Sequence, residues 1–440
     1  MNLLEAYKNR LAISESVYSK AHNGEKMSNF KKITTARCLE NLNRFINESF
    51  ENSVGTQRAD LGAFKKFALN LTTVAIPNLI AFDLVMVYPM SSISGYVNYI
   101  QYTAGTTKGE TAKGDVLNDP FRLGKVDANY TSSHVVETLE AGADNVLVWG
   151  PVVKGAFTDK DGNVLGDVKV GTQYVYYKAE DGKLYTNAEC TTPFTATKGQ
   201  KAAYIYDNVV IPQNDLPVVN AKMESIALVA KARRVAVYYS QIAAFQAKTD
   251  YGFDLGDQLA EKAVAQLNYE IDTEITNLLI ENASGDEDLA WSKTLPTGVS
   301  KTEHYEGFVE ILEIARQKIY DRTKRFAPNY MLIASNVLPI LTFIKGFQAA
   351  PAGSINGPYF AGTLNGLKVF VTPNIEPGKF VIGVNGDDMM SSAAVYAPYM
   401  AVVPTQLLGY ADGGMSQGWS TMYDLKLLNK ELLVAGRVTA

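Results

Sequence analysis

Apolar residues change their rhythm several times along this chain, and each change predicts a different kind of structure. In the first seventy residues Leu4, Tyr7, Leu11 and Tyr18 recur at helical spacing, as do Leu39, Leu42, Ile46 and Phe50. His22-Asn23-Gly24 interrupts the first series. Stripes this narrow need cover from the rest of the chain or from a neighbouring subunit. The segment reads as an arm, mobile in an isolated subunit because uncovered helices cannot offset their ordering entropy.

From Val74 to Met90 the sequence is almost continuously apolar, and Pro77 and Pro89 forbid a long helix there. The spacing predicts a buried extended segment with a short turn in its middle. Tyr96, Tyr99, Ile100 and Tyr102 then suggest a strand leading into a polar region. Residues 106–220 lose helical periodicity. Asp159-Lys160-Asp161-Gly162-Asn163 and Glu180-Asp181-Gly182-Lys183 are hairpin-turn signals, and the strand formers Thr172 to Lys178 lie between them. A small all-β insertion over about 145–205 follows, with Pro212 and Pro217 marking the return.

The second half is more regular. Ile226 to Tyr239 predicts one or two long strands. The strongest helix of the chain runs from about Asp254 to Asn282, with Leu259, Val264, Leu267, Ile271, Ile275 and Leu278 on one stripe and Asp254 as its N-cap. At 1.5 Å per residue it would be about 42 Å long. A second helix is expected over Thr302–Arg322, with Phe308, Leu312, Ala315 and Ile319 on one face and a Ser300/Glu303 capping box. Beyond Pro328, short strands alternate with Gly and Pro turns.

Composition adds little until charge is placed along the chain. The net charge is −5, but residues 1–70 hold eleven Lys and Arg against seven Asp and Glu, so the arm is +4 and the remainder −9. That suits a solvated helical arm, or one facing DNA, through sequence-independent phosphate attraction, or an acidic partner. No apolar run reaches the length of a membrane span. The first residues lack a basic and apolar signal pattern, and Cys38 and Cys190 suit a reducing compartment, so a cytoplasmic product is expected.

Catalytic patterns are missing. No phosphate-binding loop, dinucleotide fingerprint, nucleophile elbow or zinc-protease helix is found, and His22, His134 and His304 sit in unrelated contexts. Asp159-x-Asp161-x-Asn163 resembles the start of a calcium loop, but Val164 and Val170 occupy the places that need Gly and Glu, so a β-turn is the expectation. Asp257, Glu261, Glu270, Asp272, Glu274 and Glu281 crowd the long helix without partner Glu-x-x-His motifs, and are expected to form a solvated acidic face or a contact for a basic neighbour. No catalytic, cofactor-binding or metal-binding residue is assigned, no cofactor is expected, and the chain is read as a non-enzyme.

Three stretches carry a family resemblance. Ala75-Ile76-Pro77-Asn78-Leu79-Ile80-Ala81-Phe82-Asp83, followed by Tyr88-Pro89-Met90, resembles the "IPxLIAFD" and "QPM" segments of major capsid proteins of T-even-like myoviruses, with Tyr88 in place of the Gln. Lys231-Ala232-Arg233-Arg234 and Asp250-Tyr251-Gly252-Phe253-Asp254 are similar to the family's "AKxRxLKA" strand and the "HGLDAE" lead-in to its spine helix. Val395-Tyr396-Ala397-Pro398-Tyr399, with Pro404, resembles "YYAPYVALTP". The matches keep the family's order across roughly 70–105 and 221–440.

The resemblance implies an α+β fold of the Hong-Kong-97 type. Its expected parts are an N-terminal arm (1–73), the arm end with the first peripheral-domain segment (74–105), and an E-loop with a β-rich insertion domain (106–220). A peripheral domain with a spine helix (221–305), an axial domain (306–395) and a peripheral return (396–440) follow. Gly353 to Pro358 would form a loop near the capsomer axis. The implied function is structural: self-assembly into hexamers and pentamers of an icosahedral, DNA-containing tailed-phage head, built in the host bacterial cytoplasm. Expected partners are copies of the chain, scaffold, portal, decoration or vertex proteins and double-stranded DNA on the inner face, with no membrane. Some relatives are trimmed after an Ile/Leu-x-Glu pattern, which Ile46-Asn47-Glu48 and Leu3-Leu4-Glu5 fit, and some shells of this fold are cross-linked between Lys and Asn. Neither chemistry is assigned to this chain. Two other readings compete: an encapsulin-like cellular compartment shell, and an extracellular enzyme or adhesin with a β-rich accessory domain.

Overall fold

A computed structural model describes residues 3–21, 24–51, 66, 68–74, 79–107, 111–123, 130, 134–140, 163–170, 173–178, 183–185, 187, 189, 191–193, 201–207, 217–252, 255–350, 357–386, 388–405 and 407–439. For 134–140, 163–170, 173–178, 183–184 and 201–207, and for residues 21, 49, 50, 51, 122, 123, 257, 286, 287, 389 and 401, only the backbone is described. The chain mixes helix and sheet and divides into two compact units, Met1–Val97 with Ser225–Ala440, and Asn98–Glu224.

The larger unit is organised by two sheets. One has seven strands in the order Ser284–Ser292, Leu433–Thr439, Lys379–Gly383, Tyr330–Ile333, Leu367–Val371, Tyr359–Leu364 and Phe347–Ala349. All four residues of Tyr330–Ile333 are buried, as a strand covered on both faces must be. The hairpin from Leu364 to Leu367 turns at Asn365 and Gly366, with φ of 47° and 82°, the left-handed pair that a two-residue turn requires. The second sheet orders Met86–Val87, Ala394–Pro404, Gly414–Leu427 and Lys231–Ser240, with Leu408–Gly409 also paired to Gly414–Leu427.

The long helix is one element, Leu255–Asn282. Val264, Leu267, Ile271 and Ile275 are buried as the stripe predicts, and Leu279 joins them at 0% exposure. Its first half packs Ala260, Ala263, Val264 and Leu267 on Val402 and Trp419. Its second half sends Ile271, Ile275 and Leu279 into the main core of the unit, with Phe308, Phe370 and Phe380. Asp254, the expected N-cap, lies outside the described residues.

The expected second helix is two helices, Lys301–Glu306 and Phe308–Thr323, separated at Gly307. The Ser300/Glu303 capping box is formed in both directions. Gly307 keeps helical dihedrals, φ −61° and ψ −19°, and its N–H donates to the Glu303 carbonyl at 3.2 Å, while the Glu310 N–H turns to the Gly307 carbonyl at 3.2 Å. Phe308, Leu312, Ala315 and Ile319 are buried on the second piece. The expected strand pair over 226–239 is Val219–Val229 and Lys231–Ser240. Between Val74 and Met90 the expected turn is a helical one, Ala81–Leu84, whose four residues are all buried.

The arm helices are Leu3–Ala6, Lys8–Ala21 and Asn29–Glu51. Their stripes are not left bare. Leu39, Leu42 and Ile46 are at most 1% exposed and pack on Ala68, Leu69, Met400 and Val403 of the same chain. The expectation of a mobile arm therefore fails on its premise: cover for the stripe is present within the chain. Fully burying one such side chain contributes about 1.5–3 kcal/mol.

The smaller unit contains a five-stranded sheet in the order His134–Glu140, Lys201–Asp207, Asn163–Val170, Gln173–Lys178 and Lys183–Tyr185, wider at both ends than 145–205. Asp161-Gly162 and Asp181-Gly182 lie outside the described residues. Val219–Val229, Ser94–Ala104, Val116–Asp119 and Arg122–Leu123 form a four-stranded sheet in that order.

Candidate functional site

The three segments singled out by resemblance meet in the larger unit. Met86 and Val87 pair in parallel with Val395 and Tyr396. The ladder continues as the Tyr88 N–H donates to the Tyr396 carbonyl at 2.8 Å and the Met90 N–H to that of Pro398 at 3.0 Å. At its end Asn41 of the arm donates from Nδ2 to both the Met90 and Tyr399 carbonyls, at 2.6 and 2.9 Å. Asn41 is 2% exposed; its bond to the Met90 carbonyl is buried and that to the Tyr399 carbonyl partly so. Ser14 adds a buried bond from its hydroxyl to the Thr73 carbonyl at 2.8 Å.

A cluster of charges fastens the same arm. Lys31 Nζ lies 3.6 Å from Asp83 Oδ1 and donates to the Tyr18 hydroxyl at 2.6 Å. Lys368 Nζ lies 3.2 Å from Asp83 Oδ1 and 2.9 Å from Glu25 Oε2. Arm and body each contribute one acid and one base. Burial pulls the Lys31 ammonium below its ordinary pKa, against the opposing pull of Asp83. Burial acts on Lys368 in the same direction, but the carboxylates of Asp83 and Glu25 prevail and hold its ammonium higher. A cavity of about 200 Å³ adjoins the cluster, lined in part by Lys31, Asp83, Asn329 and Lys368.

The carboxylates of the long helix divide. Glu261, Glu270 and Glu281 are exposed, as expected of a solvated face. Asp272 and Glu274 depart from that expectation. Asp272 is buried, accepts the Ile80 N–H at 3.2 Å, and burial holds its carboxyl well above the usual range despite that bond. Glu274 receives both Arg233 and the Tyr423 hydroxyl at 2.5 Å. These two fasten the helix to the first and second resembling segments. The side chain of Asp257 lies outside the described residues.

The remaining sequence candidates do not converge. His304 stacks on Trp291 with ring centres 4.7 Å apart and sets Nε2 2.9 Å from the Ser292 carbonyl oxygen. His22, the His134 side chain, Cys190, Asp159 and Asp161 lie outside the described residues, and Asn163 opens a strand. Burial pushes the Cys38 thiol up to about 12, which leaves it protonated and unreactive at neutral pH. Ile46 of the Ile46-Asn47-Glu48 pattern is fully buried within a helix. Among the described residues no group of three His, Cys, Asp or Glu is placed to hold a metal ion, and no helix is long and apolar enough to cross a membrane.

What the geometry does offer is surface. From Ser94 to Tyr102 the even positions face solvent, with Tyr96 68%, Ile100 44% and Tyr102 41% exposed, while Val97 and, at the strand's end, Ala104 are buried. Met223 on Val219–Val229 is 71% exposed. The alternation could be read from the sequence as a strand, but not which face would lack cover.

Comparison with known proteins agrees with the segments that meet here. The family model described as "Major capsid protein Gp23" matches residues 61–432. The chain is 23% identical to the major capsid protein of Escherichia phage AR1 over 75% of this chain and 68% of that one. It is 22% identical to that of Enterobacteria phage T4, again over 75% and 68%. Among solved structures, the capsid of Myoviridae phage XM1 aligns with a TM-score of 0.37 and 9% identity, over 52% of this chain and 80% of that one. With the match running from the end of the arm through the strand Gly414–Leu427 to Leu432, the chain belongs to the Gp23 family of phage major capsid proteins, and its place is the virion capsid.

Proposed function

We propose that copies of this chain form hexamers and pentamers that close into the icosahedral, DNA-containing head of a tailed phage, with a Hong-Kong-97-type subunit. Residues 1–73 act as the N-terminal arm, 74–105 as the arm end and first peripheral segment, and 106–220 as the E-loop with its insertion. Residues 221–305 form the peripheral domain with Leu255–Asn282 as its spine, 306–395 the axial domain and 396–440 the peripheral return. The role is structural and not enzymatic. Assembly takes place in the host cytoplasm with scaffold and portal proteins, and DNA is met non-specifically on the inner face.

One observation carries this reading: the apolar, solvent-facing row formed by Tyr96, Ile100 and Tyr102 on one face of a strand of eleven residues. Exposed apolar rows of this kind mark surfaces that a partner covers. In the proposed shell that partner is a neighbouring subunit of the same capsomer. The experiment is limited proteolysis of dissociated subunits beside assembled particles, with negative-stain imaging of the latter. Cleavage within 94–107 and 217–229 in subunits, and protection in particles, is expected. Equal cleavage in both states would remove the proposal.

A further inference from the structure

The sequence holds four Asn-Gly pairs: Asn23-Gly24, Asn356-Gly357, Asn365-Gly366 and Asn385-Gly386. Asparagine is one of the thermolabile side chains of proteins. A following glycine, having no β-carbon, lets its own backbone nitrogen approach the asparagine amide closely. Asn23 and Asn356 lie outside the described residues. The other two pairs stand in opposite surroundings.

Asn385-Gly386 is tied down on both residues. The Gly386 N–H donates to the Ser391 carbonyl at 3.1 Å and to Ser392 Oγ at 3.2 Å. Asn385 Oδ1 accepts from Ser392 Oγ at 2.8 Å, and Nδ2 donates to the Phe82 carbonyl at 3.4 Å. A β-carbon on Gly386 would collide with Ser391. The nitrogen is a committed donor, and the side-chain amide cannot turn towards it without breaking these bonds.

Asn365-Gly366 is the tip of the hairpin between Tyr359–Leu364 and Leu367–Val371, and both residues are exposed. Among the described residues, no hydrogen bond reaches the Gly366 N–H or the Asn365 side-chain amide. A β-carbon on Gly366 would meet nothing within 4 Å. The peptide group between the two residues does have one ionic partner. Arg316 Nη2 donates to the Asn365 main-chain carbonyl at 2.6 Å, while Nη1 lies 3.1 Å from Glu313 Oε1. That carbonyl is conjugated with the Gly366 nitrogen. When the N–H loses its proton, negative charge spreads onto the carbonyl oxygen, and a guanidinium bonded there stabilises it, charge-assisted bonds being the strong ones.

We infer that Asn365 is a self-modification site, deamidated through Gly366 with Arg316 as the activating group. Hydroxide removes the Gly366 proton and the nitrogen attacks Cγ of Asn365. The N–Cγ bond forms, the Cγ–Nδ2 bond breaks, and Nδ2 leaves as ammonia with a proton from water. Water then opens the succinimide at either carbonyl, leaving aspartate or isoaspartate. One ammonia is lost, one water is gained, and no electrons are transferred. The new carboxylate sits on the residue that Arg316 already holds. This chemistry needs only the residues named, whatever the subunit assembles into.

The test incubates native full-length chain at mildly alkaline pH and follows the peptides containing Asn365 and Asn385 by mass spectrometry. Electron-transfer fragmentation separates aspartate from isoaspartate. Conversion at Asn365 at least tenfold faster than at Asn385 is expected, and it should quicken as pH rises. In denaturant the two pairs lose their surroundings and should react alike. Equal rates in the native chain, faster conversion at Asn385, or a difference that survives denaturation overturns the assignment. Arg316→Gln should slow Asn365 at least threefold in the native chain, and Arg316→Lys, which keeps the charge, should restore much of the rate, with circular dichroism as the folding control. A folded Arg316→Gln chain that reacts as fast as wild type, or a Lys variant as slow as the Gln one, removes Arg316 from the mechanism.

Discussion

The arm and the Ser94–Ala104 strand offer similar apolar content and meet opposite fates. Leu39, Leu42 and Ile46 are covered by Met400 and Val403 of their own chain, whereas Tyr96, Ile100 and Tyr102 face solvent. Both segments look under-supplied with core from local pattern alone. The difference lies in polar anchors: Asn41, Ser14 and the Lys31–Asp83–Lys368–Glu25 cluster hold the arm to one place on the body. An apolar stripe says that cover is needed. Directional bonds to particular carbonyls and charges identify which surface supplies it.

Four substitutions sharpen that contrast. Leu42→Ala should have the largest effect on the isolated subunit, about 2–5 kcal/mol of lost stability from the methyl groups removed and the cavity left. Chemical denaturation would measure it, and arm cleavage should rise with it. Asn41→Ala strands the buried Met90 carbonyl and the partly buried one of Tyr399, and should cost about 1–3 kcal/mol by the same measurement. A neutral effect there would mean that packing alone seats the arm.

Asp272→Asn tests the buried carboxylate beside that junction. Its folded pKa is raised above the unfolded value of about 3.9, so the folded state binds the proton more tightly. The stability this proton contributes is present at low pH and is lost as pH rises towards and through the folded pKa. The amide keeps an acceptor for the Ile80 N–H without the charge. Asp272→Asn should therefore melt above wild type at pH 7, with the difference shrinking as pH falls towards about 4; a fixed difference at every pH would exclude the linkage. Tyr96→Ser should be the mildest for the subunit, within about 0.5 kcal/mol, as exposed substitutions usually are. Its effect should appear in particle yield instead, and unchanged yield would count against that face as a contact.

Elements with many repeats of one spacing were legible before the fold was known. The stripe of Leu255–Asn282, the capping box at Ser300 and the two long strands on either side of Ala230 follow from local periodicity. Gly307 was also visible, yet its break depends on how the flanking turns pack, which spacing does not report. Asn365-Gly366 is a hairpin signal in the sequence and closes one. The arm's seat was not legible, because its contacts join residues hundreds of positions apart, as Asn41 with Tyr399 does. Nor was the split among the acidic residues: Glu270 and Glu274 lie one turn apart, yet Glu270 accepts from Gln266 of its own helix while Arg233 and Tyr423 reach Glu274.

The placement of Leu433–Thr439 bears on when the protein can become adhesive. That strand lies between Ser284–Ser292 in parallel and Lys379–Gly383 in antiparallel pairing, inside the seven-stranded sheet. A nascent chain stopped short of residue 433 would leave both neighbours with an unpaired row of backbone groups, and the sheet could not close around Phe380. Translation must therefore pass this strand before a sticky, fully shaped subunit exists. Unfinished polypeptides on the ribosome would lack the rigid surfaces that join a growing shell, and synthesis would be kept apart in time from assembly.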